Sequence, residues 1–190
     1  MRWTKEKYFL ETSELLKLAG PLIASNLAFT LLGSFDTIFM GRVGPIELGA
    51  VGVASTLFLA TSTIFRSTVG ATMILVSQAF GANDKDLIRK RFQQFICLAL
   101  LLSPIAFLLP KLFAWYFTIT KPDEIVKALA LSYMTIRSFG LPFSLFSKTI
   151  SSFMLGVGNS KIPMAVSWTT VFVNVIFNYL LVFGKLGAAP

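Results

Sequence analysis

Apolar residues in this chain do not alternate with polar ones at a short period. They gather into long runs separated by short polar gaps. A helix crosses the hydrocarbon core of a bilayer with about 20 mostly apolar residues. Five such helices are predicted, over about residues 18–40, 46–79, 92–116, 126–155 and 162–183. The gaps at 41–45, 81–91, 118–124 and 156–161 carry Gly, Pro, Asn and Asp where the chain has to turn. The second and fourth runs are too long for a straight perpendicular crossing, so both are expected to tilt, kink or protrude. The fold class predicted is all-α, a polytopic membrane helical bundle.

Composition strengthens that reading. Charged residues make up 14% of the 190-residue chain and hydrophobic ones 55%, with a mean hydropathy of +0.73. Soluble domains carry about 25% charged residues, so the lipid bilayer is the expected environment. The net charge of +8 raises the question of nucleic acid. A nucleic-acid binder clusters its cations on a solvated face of a soluble core, whereas here they fall in the gaps between apolar runs, and no nucleic-acid partner is predicted. Arg2, Lys5, Lys7, Lys17, Lys85, Arg89, Lys90, Arg91 and Lys161 share one predicted side, against Arg42, Lys111, Lys121, Lys127 and Lys185 on the other. The positive-inside rule places the first set, and with it the N-terminus, in the cytoplasm of a multi-pass protein of the cell (inner) membrane. The first 20 residues hold acids at Glu6, Glu11 and Glu14 and no small-residue cleavage site, so they do not read as a signal peptide. Trp3, Tyr8 and Phe9 beside Lys5 and Lys7 read as an interfacial anchor.

Histidine is absent. Ser-His nucleophilic catalysis and histidine metal sites are therefore excluded, and any protonation switch must use a carboxylate. No nucleophile–base set can be assembled, so no enzyme is predicted. The single cysteine, Cys97, allows no disulfide framework or thiolate metal site, and in its apolar run it reads as a buried filler.

Eight of nine acids lie in the N-terminal segment, a gap or a span end; Asp36 alone lies inside a span, in LLGSFDTIFMGRVG. A charge near mid-membrane costs about 2.5–3.5 kcal/mol on insertion scales and by default marks an ion or substrate path. Two structural alternatives stand beside that reading: an acid snorkelling to the outer interface, and a partner for Arg66 in the second span. Ser25, Phe29 and Met40 share the helical face of Asp36. Pro21 removes a backbone hydrogen bond and permits a bend that could swing this face.

In the fifth span, SWTTVFVNVIFNYLLVFG, the residues Ser167, Thr170, Asn174 and Asn178 recur at steps of three and four, on one face. Asparagine in hydrocarbon needs a partner, and a pair one turn apart offers oxygens to a cation and donors to a carboxylate. The structural alternative is hydrogen-bond glue between helices. With a solitary carboxylate elsewhere, a shared polar cavity of Asp36, Asn174 and Asn178 is the reading favoured. The fourth span carries its own stripe of Tyr133, Arg137, Gly140, Ser144, Lys148 and Ser151; its two cations read as lining a water-filled crevice or snorkelling, with substrate contact as the alternative.

The stretch PLIASNLAFTLLGSFDTIFMGRVGPIELGAVGVAS resembles the first two spans of the multidrug and toxic compound extrusion (MATE) transporters, with their proline, first-helix acid and G-x-x-G. ILVSQAFGANDKD resembles that family's exit from the second span, and LGVGNSKIPM followed by NVIFNYLLVFGKLG its entry to the fifth. IFRSTVGATMILVSQAFG is most similar to the DNA-damage-inducible branch. The resemblance implies a twelve-helix antiporter of two six-helix lobes that exports small organic, often cationic compounds in exchange for Na⁺ or H⁺, with no other cofactor. By the same resemblance, Asp36 corresponds to the coupling carboxylate, Pro21 to the bending proline, and Asn174 and Asn178 to the fifth-helix polar pair. A Na⁺ site would use Asp36, Asn174 and Asn178, and the substrate cavity would involve Ser25, Phe29, Met40, Thr170, Tyr133 and Arg137. Some members carry an aspartate where Asn178 stands, which halves the negative charge here. Residues 1–190 would form an N-terminal lobe lacking its sixth helix, with a second lobe expected in the same polypeptide; the alternative is a truncated product that cannot cycle alone. Rival readings are a lipid-linked precursor flippase or related exporter, which the basic Arg66, Arg137 and Lys148 would suit, and a non-transporting membrane scaffold.

Overall fold

A computed structural model describes residues 5–182 as helices joined by short turns, and no strand occurs among them. The helices are α1 (Lys5–Gly41), α2 (Pro45–Gly70), α3 (Thr72–Gly81), α4 (Lys85–Leu102), α5 (Leu109–Thr120), α6 (Glu124–Gly156) and α7 (Lys161–Val182), with a 3₁₀ segment, Ser103–Leu108, between α4 and α5. Trp3 of the anticipated interfacial anchor and the tail from residue 183 lie outside the described residues, as do the side chains of Tyr8 and Phe9.

Among the described residues three segments are long and apolar enough to cross a membrane: Leu15–Gly41, Pro45–Gly81 and Lys161–Leu181. A fourth crossing results if α4 and α5 count as one span. Where the sequence predicts one third span, over about residues 92–116, the structure bends by 42° between Lys85–Ile105 and Leu109–Thr120. Pro104 and Pro110 flank that break, each removing a backbone donor from the helical ladder. The fourth predicted span is a single helix, α6, that runs through Pro142 and is 33 residues long. That is about 50 Å at 1.5 Å per residue. Length is therefore not what leaves α6 out of the apolar set; Arg137, Lys148 and its many serines lower its hydropathy.

The chain divides into two compact units, residues 1–36 with 158–190, and residues 37–157. In the second unit α6 is the central helix, contacting α2, α3, α4 and α5. Its buried positions are Ala130, Met134, Ser138, Leu141, Leu145, Thr149, Ser152 and Gly156. Steps of three and four keep them on one face. Against it α2 sets Ala50, Ala54, Phe58, Ser62 and Val69, where small residues let helices approach closely in a membrane protein. The approach is tightest at Gly156: a Cβ there would stand 3.0 Å from the Met73 carbonyl oxygen and from Val76. Buried hydroxyls are satisfied within their own helices, Ser138 donating to the Met134 carbonyl at 2.7 Å and Thr149 to Leu145 at 2.9 Å.

Turn chemistry sets the helix starts. Asp84 caps α4 by accepting from the Leu87 amide at 2.8 Å, and Asp123 caps α6 by accepting from Ile125 at 2.9 Å. Cys97 is exposed rather than a buried filler. The buried face of α4 passes through Phe95 and Ala99, and position 97 points away from it.

Candidate ion-coupling site

The first unit brings together the three residues to which the sequence assigns ion coupling. Asp36 lies one turn before the end of α1, Asn174 and Asn178 one turn apart on α7. The Asn178 amide donates to Asp36 Oδ1 at 2.7 Å and to Asn174 Oδ1 at 3.0 Å. All three side chains are half-buried. Both hydrogens of one amide are thereby used, and a carboxylate oxygen and an amide oxygen converge on a single nitrogen. Because Nδ2 is the partly positive end of the amide, the same two oxygens could receive a small cation in its place.

The charge of this donor set is low. Among the described residues no group of three or more His, Cys, Asp or Glu side chains assembles. One carboxylate with two amides suits a proton or a monovalent cation; tightly held divalent ions take several charged oxygen ligands.

The other residues predicted for the site are distributed as follows. Ser25 is buried on the same helix, its hydroxyl donating to the Pro21 carbonyl at 2.9 Å. α1 stays helical through Pro21. Met40 is half-buried one turn beyond Asp36, and Phe29 is 52% exposed. Thr170 is exposed and donates to the Val166 carbonyl at 2.8 Å, so its hydroxyl is turned to its own helix rather than to the asparagines. The buried face of α7 passes instead through Ser167 and Val171.

Tyr133 and Arg137 belong to the second unit. Arg137 donates to the Tyr133 hydroxyl, and its guanidinium lies 5.4 Å from the Phe58 ring centroid and 5.5 Å from that of Tyr133. Aromatic faces thus hold this cation in place of an acid. Arg66, weighed from sequence as a structural partner of Asp36, donates to the Ser144 hydroxyl of α6. Nothing local in the sequence signals that pairing, because its partners are 78 residues apart.

The MatE family model matches residues 21–180. The multidrug resistance protein NorM of Vibrio cholerae is 31% identical over 185 residues, covering 96% of this chain and 40% of the relative. NorM of Vibrio vulnificus is 29% identical over 183 residues, and the multidrug resistance protein MdtK of Photorhabdus laumondii 27% over 186, with the same coverage. The chain thus spans about 40% of the length of the curated relatives it matches. With the family model aligned from Pro21 to two residues past Asn178, the chain belongs to the MatE family.

Proposed function

We propose that the polypeptide carrying this chain is a multidrug efflux antiporter, exporting small organic, often cationic compounds in exchange for H⁺ or Na⁺. The relatives named as multidrug resistance proteins support the export of drugs. The coupling role of Asp36 rests on one observation: the only acid away from the ends of the predicted spans accepts a 2.7 Å hydrogen bond from a half-buried asparagine of a second apolar helix.

The mechanism follows from competition for one charge. A proton or Na⁺ neutralises Asp36, and an organic cation does the same, so the two exclude one another. Ionised, Asp36 only accepts hydrogen bonds, which matches the bond from the Asn178 amide; protonated, one of its oxygens becomes a donor and the amides must reorient. Each ligand shifts the conformational equilibrium only by its differential affinity for the two states. Exchange requires that the coupling ion favour one bend of α1, at Pro21, and the drug the other. The remaining part of the transporter, a second lobe of the same polypeptide, would complete the path. In this reading the protein is a multi-pass protein of the cell (inner) membrane whose N-terminus faces the cytoplasm.

The test is resistance conferred on a drug-sensitive strain by the complete polypeptide, with and without Asp36→Asn. The substitution is expected to abolish resistance while the protein still reaches the membrane. Full resistance in that variant would remove Asp36 from coupling.

A further inference from the structure

We propose that a cleft between α2, α3 and α6 of the second unit binds a phosphate group, a ligand of opposite charge to the exported compounds. The cleft has a volume of about 440 Å³ and is lined by Thr63, Arg66, Ser67 and Gly70 of α2, Ile74 of α3 and Lys148 of α6. That size falls in the range of small-molecule sites, about 300–1,000 Å³.

Two half-buried cations face it. Arg66 is anchored by its bond to Ser144, which stands one turn before Lys148 on α6. The Lys148 stem crosses α2 over Gly70, where a built Cβ would lie 3.5 Å from Lys148 Cε. The two cations are within electrostatic reach of each other, and Arg66 is also within reach of Arg137. No acid answers them: Glu47 and Glu124, each in a first helical turn, are the only acids on α2, α3 and α6. Among the described residues the sole ion pair is Lys127 with Glu124.

Like charges held together in a low-dielectric setting repel, and an anion between them reverses the sign of that interaction. Arg66 supplies a planar fork, Lys148 a point charge and Ser67 a hydroxyl. Fork, point charge and donor together match a tetrahedral oxyanion better than a flat aromatic ligand. The phosphate could come from a phospholipid headgroup or from a soluble phosphomonoester.

The experiment titrates the complete polypeptide, purified in a neutral detergent, by calorimetry with short-chain phosphatidylglycerol, short-chain phosphatidylcholine and 4-nitrophenyl phosphate. Binding of phosphatidylglycerol alone assigns a lipid headgroup, binding of 4-nitrophenyl phosphate alone a soluble ligand, and binding of both a general phosphate site. In each case Arg66→Gln with Lys148→Met should weaken binding by about tenfold or more, the loss expected for hydrogen bonds to a charged group. Arg66→Lys with Lys148→Arg should retain binding, and Lys111→Gln on α5 should leave it unchanged. Gly70→Leu keeps both charges but displaces the Lys148 stem, and it carries the test if the charge-removed variant does not fold: it too should lose binding. Absence of binding by the parent protein, binding of phosphatidylcholine equal to that of phosphatidylglycerol with no binding of 4-nitrophenyl phosphate, or undiminished affinity in the charge-removed or Gly70→Leu variant overturns the proposal.

Discussion

The Asn178 amide donates to the Asp36 carboxylate across 2.7 Å, joining residues 142 positions apart in the chain. Its other hydrogen goes to Asn174, so the amide is held by two acceptors and has one orientation that satisfies both. The acid is thereby tied to α7 by a bond whose pattern depends on whether the acid carries a proton. A structural bond and a coupling bond would look alike in a single conformation. They differ in what happens when the bond is removed.

Asn178→Leu separates the two roles. Side-chain hydrogen bonds between membrane helices contribute about 0.6 kcal/mol on average and at most about 1.7 kcal/mol. Loss of this one should lower the unfolding midpoint in detergent only slightly. Efflux of ethidium from proteoliposomes containing the complete polypeptide is nevertheless expected to fall at least tenfold, roughly the effect of removing one hydrogen bond to a charged partner. Efflux equal to that of the parent protein at similar stability would reduce the pair to inter-helix glue.

Asn178→Asp tests the choice of coupling ion. A second carboxylate beside Asp36 doubles the negative charge facing a bound cation, and the attraction is large where the effective dielectric constant is low. The half-saturating Na⁺ concentration for efflux is expected to fall by roughly tenfold after repulsion between the two acids is allowed for. If coupling runs on protons alone, the variant will show no Na⁺ dependence at any concentration, and only its pH profile will move.

The sequence displayed α1 and α7 well because each is a long apolar run in which a few polar residues stand out. Asp36 and the two asparagines were visible for that reason. The broken third crossing was hidden by the same property: LALLLSPIAFLLPKLFAWYF is apolar apart from Ser103 and Lys111, so hydrophobicity gave little sign of the bend, and Pro104 and Pro110 marked it. On α6 the polar stripe could be read, but its partners could not. Whether Arg66 meets Ser144 or an acid depends on how α2 docks, and docking is decided by small residues such as Ala50 and Ala54 against the α6 face. Thr170 was grouped with the asparagines by spacing alone, which places residues on a face to within about a quarter turn and could not foresee that its hydroxyl would bond back to Val166.

Core packing around α6 gives a prediction that does not depend on transport. Met134 is fully buried and belongs to the central apolar cluster, whereas Phe143 on the same helix is 77% exposed. Met134→Ala should destabilise the second unit by about 2–5 kcal/mol, the range for large-to-small changes in a core. Phe143→Ala should change its intrinsic packing little. Thermal unfolding followed by intrinsic fluorescence in detergent compares the two, and equal midpoints would contradict the central position assigned to α6.

Two glycines of α6 should respond to the same substitution with opposite signs. At Gly156 an added Cβ would come within 3.0 Å of the Met73 backbone oxygen and of Val76. A backbone oxygen cannot rotate aside as a side chain can, so α3 and α6 would have to separate. Gly156→Ala is expected to cost about 1–3 kcal/mol, as overpacking usually does. At Gly140, an exposed mid-helix position, an added Cβ meets nothing within 4 Å. Gly140→Ala therefore keeps the intrinsic helical gain of about 0.8–1.0 kcal/mol, and its unfolding midpoint should rise while that of Gly156→Ala falls. Midpoints moving in the same direction would mean that α3 and α6 do not meet at Gly156 as closely as described.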